Sequence, residues 1–246
     1  MEEQTPSQNN WLKKVWFSVR IPFLAIILAL LVGAIILLVS GANPLEAYWQ
    51  LFKGAFGSWR NIQRVLEKST PLIFAGLAVA LGFKAGLFNI GAQGQLLLGA
   101  LMAGYVGFAV KGLPAYIHIP LALLAGLLTG AVFAAIPGLL RAYSGAHEVI
   151  STIMLNYVAI NLSDYFSEGP WKDTTPGNIV SRLPAIQPSA EIPNIGPVPV
   201  GFIVAVLTSL LIWFVINRTT FGFEINSVGL NPHASKYAGM RTKLLI

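Results

Sequence analysis

The sequence predicts an all-α, polytopic bundle of transmembrane helices. Three observations predict it. Only 11% of the 246 residues are charged while 55% are hydrophobic, whereas soluble globular domains carry about 25% charged residues. The mean hydropathy is +0.67. The apolar residues gather into runs approaching the roughly 20 residues that a helix needs to cross a bilayer. The net charge of +6 would suggest nucleic acid in a soluble chain. Here the basic residues flank apolar runs and form no patch with interleaved aromatics, so membrane lipid is the expected partner and nucleic acid is not. Cysteine is absent, which excludes disulfides, thiol nucleophiles and cysteine metal sites.

Taken in order, residues 1–20 form a tail expected in the cytoplasm. Lys13, Lys14 and Arg20 precede IPFLAIILALLVGAIILLV, residues 21–39. That run is longer than the apolar core of a cleaved signal peptide, about 7–15 residues, so it reads as a retained anchor. Its basic flank orients the N-terminus inward. In residues 42–68, Trp49, Phe52, Phe56 and Trp59 can share one face, which suits an outer amphipathic helix lying in the interface. A plain connection fits the same residues. Apolar runs follow at 69–83, 92–110, 119–140, 149–163 and 200–217, making six spans. KLLI at 243–246 looks like the start of a seventh. Six crossings return residues 217–243 to the cytoplasm, with Arg218, Lys236, Arg241 and Lys243 supporting that side. Residues 168–199 are proline-rich and aperiodic, an irregular outer loop. Residues 21–246 thus read as one transmembrane domain.

Lipid supplies little hydrophobic drive for helix association, so close-packed membrane helices place small residues where backbones touch. Ala122, Gly126, Gly130, Ala134 and Gly138 recur every four residues in one span. Gly91, Gly99, Ala103 and Gly107 form a similar row in another, with Gln95 in register. Gln95 is therefore expected to face protein or a water-filled path rather than lipid.

Polar side chains within spans are costly and suggest use. GLFNIGAQGQ, residues 86–95, places Asn89, Gln93 and Gln95 among glycines at a span entrance. Amides both donate and accept, which suits a neutral polar solute, and the glycines suggest a turn or broken helix shielded from lipid. GAHEVISTIMLNY, residues 145–157, brings Glu148, Ser151 or Thr152, and Asn156 near one helix face. The same groups could instead cap or cross-link helices. Candidate path residues are Asn89, Gln93, Gln95, Glu148, Ser151 and Asn156. Enzyme signatures fail: HEVIS lacks the second histidine of a zinc-protease helix, and neither a phosphate loop nor a nucleophile elbow occurs. No catalytic residue, metal or cofactor is expected. An ion-coupled secondary transporter would need a buried carboxylate, for which Glu148 and Asp164 are the candidates near span ends.

One polar stretch interrupts the apolar pattern, FGFEINSVGLNPHASKYAGM at 221–240. Asn231 is a good N-cap, Pro232 suits the first helical position and Gly239 stands where a helix stops, predicting a two-turn helix over 232–238. So short a helix needs something to pack on. A membrane surface and a partner protein serve equally on physical grounds.

That stretch resembles the cytoplasmic coupling segment of ABC importer permeases in the branched-chain amino acid and simple-sugar superfamily. AGLFNIGAQGQLLLGA (85–100) and GAHEVISTIMLNYVA (145–159) are similar to its nucleoside branch, which works with basic-membrane-type lipoproteins. The resemblance runs from about Pro44 to the last residue. It implies a short cytoplasmic coupling helix that docks on an ABC ATP-binding subunit, with Gly229, Asn231, Pro232, Ala234 and Gly239 matching the segment. It further implies nucleoside import without an ATPase site on this chain, a second permease subunit, homologous or identical, and an extracytoplasmic substrate-binding lipoprotein. A simple-sugar permease is the near alternative. Members of that family continue through further spans where this sequence stops, so a fragment or a shortened gene product is expected.

Overall fold

Ten α-helices and one short β-ladder make up the described part of the chain, a computed structural model that describes residues 9–196 and 198–245, with side chains from residue 19 onward. Residues 1–8 of the expected tail, and the side chains of Lys13 and Lys14, lie outside it. Internal contacts divide the chain into Met1–Ile62 and Gln63–Ile246.

In the first unit, α1 (Asn9–Val39) begins well upstream of the apolar run. α2 (Pro44–Phe56) starts as its sequence dictates: Asn43 Oδ1 accepts the Leu45 N–H at 3.0 Å, and Pro44 occupies the first turn, where its missing N–H costs nothing. The Tyr48 hydroxyl donates to the Leu30 carbonyl at 2.6 Å. Gly33 makes room for it, since a Cβ there would lie 2.7 Å from that hydroxyl. Trp49, Phe52 and Phe56 form the expected stripe, with ring centroids 6.2 and 5.3 Å apart. Trp59, expected on the same face, instead opens α3 (Trp59–Lys84), because α2 ends at Gly57. α3 therefore starts ahead of the apolar run and runs on into the second unit.

The second unit is organised by α4 (Ala92–Ala109), α5 (Ala115–Leu139) and α6 (Glu148–Glu168). A π turn, Leu140–Ser144, prolongs α5 and ends at Gly145 with φ +67°. α4 packs most extensively on α5, and the small-residue rows are the reason. A Cβ on Gly99 would lie 3.0 Å from the Gly126 carbonyl oxygen, and one on Gly126 would lie 2.9 Å from that of Gly99. Backbones touch here without intervening side chains. Leu98, Leu101 and Ala159 form the buried core beneath Phe133, Phe166, Trp171 and Leu183.

Residues 169–199, expected to be irregular, form a strap fastened at many points. Trp171 stacks between Tyr105 and Phe166, centroids 4.2 and 4.1 Å away. Leu183 and Ile186 sit against Gly104 and Gly107, and the Gln187 N–H donates to the Gly107 carbonyl at 2.8 Å. Gly107 thus serves the strap rather than the α4–α5 contact. His118 is fully buried between the Ser189 hydroxyl (2.8 Å) and the Val106 carbonyl (3.0 Å). That carbonyl can only accept, so Nε2 carries a proton. Asp173 accepts from the side chain and backbone of Thr175 and from Arg182. The Thr175 bonds, and then the Arg182 guanidinium, hold its carboxyl below the usual carboxylate range. The strap ends in a two-stranded antiparallel ladder, β1 (Asn194–Ile195) with β2 (Val198–Pro199).

α7 (Val200–Arg218) is followed by a helix the sequence reading did not resolve, α8 (Thr220–Leu230), capped by Thr219 Oγ1 accepting the Gly222 N–H. α9 (Pro232–Tyr237) and α10 (Thr242–Leu245) complete the described chain. Four segments among the described residues are long and apolar enough to cross a membrane: Val19–Val39, Trp59–Lys84, Ala115–Ser144 and Val200–Arg218. α4 and α6, also expected to cross, are the helices that carry the amides, Glu148 and the hydroxyls. The chain is an all-α, multi-pass membrane protein.

Candidate functional site

Between α3 and α4 the chain makes a tight polar turn, residues 85–91. α3 ends at Lys84, and two residues on, Gly86 lies at φ +75°, a conformation that glycine adopts without a Cβ penalty. The Leu87 N–H returns to the Gly82 carbonyl at 2.8 Å. Asn89 Oδ1 then accepts the Gly91 N–H at 2.9 Å, an Asx turn that leads into α4.

The Asn89 and Gln95 side chains face each other as a reciprocal amide pair. Asn89 Nδ2 donates to Gln95 Oε1 at 3.3 Å, and Gln95 Nε2 donates to Asn89 Oδ1 at 3.2 Å. Each primary amide keeps a second N–H, and Gln95 Oε1 keeps a free acceptor site, whereas Asn89 Oδ1 already accepts from both Gly91 and Gln95. Gly91 permits this crowding: a Cβ there would meet Asn89 Oδ1 and the Thr152 Cβ at 3.1 Å and Gln95 Nε2 at 3.3 Å.

The pair lines a cavity of about 360 Å³. Glu148 and Thr152 of α6 share its wall, and Phe88, Phe221 and Ile225 supply apolar surface. Glu148 is mostly buried, lies 3.5 Å from Arg141 and sits in the first turn of α6, where unsatisfied N–H groups favour a negative charge. The buried Thr152 hydroxyl donates back to the Glu148 carbonyl at 2.7 Å. The chemistry of the wall is therefore mixed. It offers two amides, a carboxylate neutralised by a neighbouring guanidinium, and aromatic rings. Such a set is chemically able to hydrogen-bond an uncharged solute with several donors and acceptors.

Three other expected path residues lie elsewhere. Asn156 does not line the cavity but holds its frame. Its Oδ1 accepts the Gly94 N–H and its Nδ2 donates to the Ile90 carbonyl, both at 2.9 Å. It therefore caps α4 from a different helix, satisfying a donor that Gly91 leaves open. Gln93 is exposed on the opposite side of α4. Ser151 donates to the Glu148 carbonyl at 3.1 Å and is absent from the lining. Thr152 takes the place expected for Ser151, and strict four-residue spacing would have selected it: 148, 152 and 156 share a ridge that 151 leaves.

The polar stretch lies next to this cavity. Asn231 Oδ1 accepts the Ala234 N–H at 3.0 Å, opening α9 as expected. α9 ends one residue early, at Tyr237, in a paired closure: the Gly239 N–H donates to the Lys236 carbonyl (3.1 Å) and the Met240 N–H to that of Ser235 (3.0 Å), with Gly239 at φ +84°. Pro232 and Ala234 are exposed, as are Leu230 and Tyr237 at 89% and 96%, whereas Ser235 is buried. Gly229 is placed differently from its neighbours, lying against the backbone of residues 84–86.

The sequence profile of the family described as branched-chain amino acid transport system / permease component matches residues 61–246. The chain is 43% identical to the guanosine ABC transporter permease protein NupP of Bacillus subtilis, over 91% of this chain and 65% of that relative. It is 36% identical to the nucleoside ABC transporter permease protein NupB of Lactococcus lactis, over 96% of this chain and 66% of that relative. Identity is 39% to the glucose ABC transporter permease protein TsgB13 of Haloferax volcanii, over 92% of this chain and 62% of that relative. The chain thus spans just under two thirds of the length of these relatives. No solved structure matches it.

Proposed function

Because the chain belongs to the branched-chain amino acid transport permease family, we propose that it is a transmembrane permease subunit of an ATP-binding-cassette importer whose cargo is a nucleoside. The observation that carries this reading is the cavity in which the Asn89–Gln95 pair, Glu148 and Thr152 face Phe88 and Phe221. A nucleoside offers what those groups complement: a flat aromatic base with edge donors and acceptors, and a neutral sugar with hydroxyls. Aromatic side chains can stack on the base, and the amides can bond its edge. Arg141 beside Glu148 removes the net charge that would repel or attract ions.

On this reading α1 and α3–α7 make six crossings, the N-terminus and α8–α9 are cytoplasmic, and the strap 169–199 is outside. α9 docks on a separate ATP-binding subunit through its exposed face. A second permease subunit completes the path, and an extracytoplasmic binding lipoprotein delivers cargo. Nucleotide binding on the partner moves α9, and the bundle alternates access to the cavity. A simple-sugar cargo is the second reading, favoured by the 39% identity to the glucose permease.

Uptake by the chain assembled with its ATPase and binding protein tests both. Labelled guanosine and adenosine should accumulate only with hydrolysable ATP, and Gln95→Leu should depress uptake with membrane levels preserved. Glucose uptake in place of nucleoside uptake would select the sugar reading. Accumulation driven by an ion gradient without ATP would overturn both.

A further inference from the structure

Gly86 and Gly229 cross backbone on backbone. A Cβ on Gly229 would lie 2.9 Å from the Gly86 nitrogen and 3.0 Å from the Ala85 carbonyl carbon, and would overlap the Lys84 carbonyl oxygen. A Cβ on Gly86 would lie 2.9 Å from the Gly229 carbonyl oxygen and 3.0 Å from its Cα. Gly86 opens the turn that carries Asn89, and Gly82, one turn earlier, touches that residue: a Cβ there would lie 3.3 Å from the Asn89 Cβ. On the other side of the crossing, α8 and α9 share Asn231. Its N–H closes α8 on the Ser227 carbonyl (3.0 Å), and its side chain opens α9 on the Ala234 N–H (3.0 Å). No slack linker separates the two helices. α8 also reaches the cavity directly through Phe221 and Ile225.

We propose that the Gly86–Gly229 crossing is the joint through which displacement of α9 repositions the Asn89–Gln95 pair, making Gly86 and Gly229 positioning residues for the cargo site. The proposal rests on the importer reading above. Side chains between two elements can absorb a shift by changing rotamer. Two backbones in contact cannot, because close-packed matter transmits displacement. A shift of α8 therefore reaches the turn at residues 85–91, whose far end holds Asn89 against Gln95. Gly229 matches the partner-docking segment in sequence, but in space it faces inward, toward the turn rather than outward with α9.

The test uses the absence of cysteine from the chain. A single Ala78→Cys on the cavity wall, labelled with an environment-sensitive fluorophore, reports the cavity in the chain assembled with its ATPase and binding protein. ATP should shift the signal in the otherwise native chain. Gly229→Ala should retain the ATPase through purification yet lose the shift. Ser227→Ala, on the same helix but off the crossing, should keep it. Should Gly229→Ala fail to accumulate, Val228→Ala, at a fully buried α8 residue outside the cavity lining, serves instead. It loosens the seat of α8 without inserting an atom at the crossing, and should diminish the shift. A full shift in an assembled Gly229→Ala complex, or in Val228→Ala if that must stand in, overturns the joint while leaving the importer reading intact. An assembled native complex with no ATP-dependent shift overturns the joint together with that reading.

Discussion

A double-mutant cycle on Asn89 and Gln95 measures whether the amide pair is a unit. Gln95→Ala removes two side-chain hydrogen bonds of 3.3 and 3.2 Å. Both are longer than the usual N–H···O distance of about 2.9–3.0 Å. Each should therefore contribute in the lower part of the usual net range, about 0.5–1.5 kcal/mol, so the loss is about 1–2 kcal/mol for the two. Asn89→Ala loses the same two bonds and also the 2.9 Å acceptor for the Gly91 N–H. That uncaps the turn, and the cost should rise to about 2–3 kcal/mol. The double variant should lose little more than Asn89→Ala alone, leaving a coupling of about 1–2 kcal/mol. Reversible unfolding of the purified chain in mild detergent by a denaturing detergent supplies the four free energies. Additivity to within about 0.5 kcal/mol, as for independent sites, would refute the pairing and with it the reason for calling these amides one site.

Four further outcomes follow from other contacts in the chain. Gly126→Ala should destabilise the chain, because overpacking of about 1–3 kcal/mol against Gly99 and Ala103 exceeds a helix-propensity gain of about 1 kcal/mol. Gly76→Ala, with nothing within 4 Å of its Cβ, should be neutral or stabilising in the same assay. The Asp173 carboxyl is held below its unfolded value, near 3.9. Its contribution is therefore present above that value and lost as pH falls through the lower folded one, so limited proteolysis of residues 173–182 should accelerate in acid, and Asp173→Asn should show much less of this pH dependence. Asn231→Ala should remove the α9 cap, worth about 1 kcal/mol locally, and speed amide exchange over residues 232–240 while leaving α4–α6 unchanged.

Much of this protein is legible in residue order. Runs of apolar residues the length of a bilayer identify a membrane bundle, since hydrocarbon forces each crossing segment to satisfy its own backbone. The four-residue rows of small residues predict close helix packing, since that spacing is one ridge of a helix, while the pairing of α4 with α5 is decided in the bundle. Asn231, Pro232 and Gly239 predict α9 to within a residue because capping is local chemistry. Other facts depend on which helices meet. That Thr152 rather than Ser151 lines the cavity depends on how α6 is rotated against α4. That Asn156 caps α4 depends on a contact 62 residues away in sequence. Glycines 104 and 107 accommodate a strap whose sequence has no period to announce it. Gly229 belongs by sequence to the α8–α9 segment, and only the tertiary packing seats it on Gly86. Local propensity and hydropathy act over a few residues and can be read along the chain. Approach between distant backbones is a property of the packed bundle, where the absence of a side chain matters only in relation to the partner that fills its place.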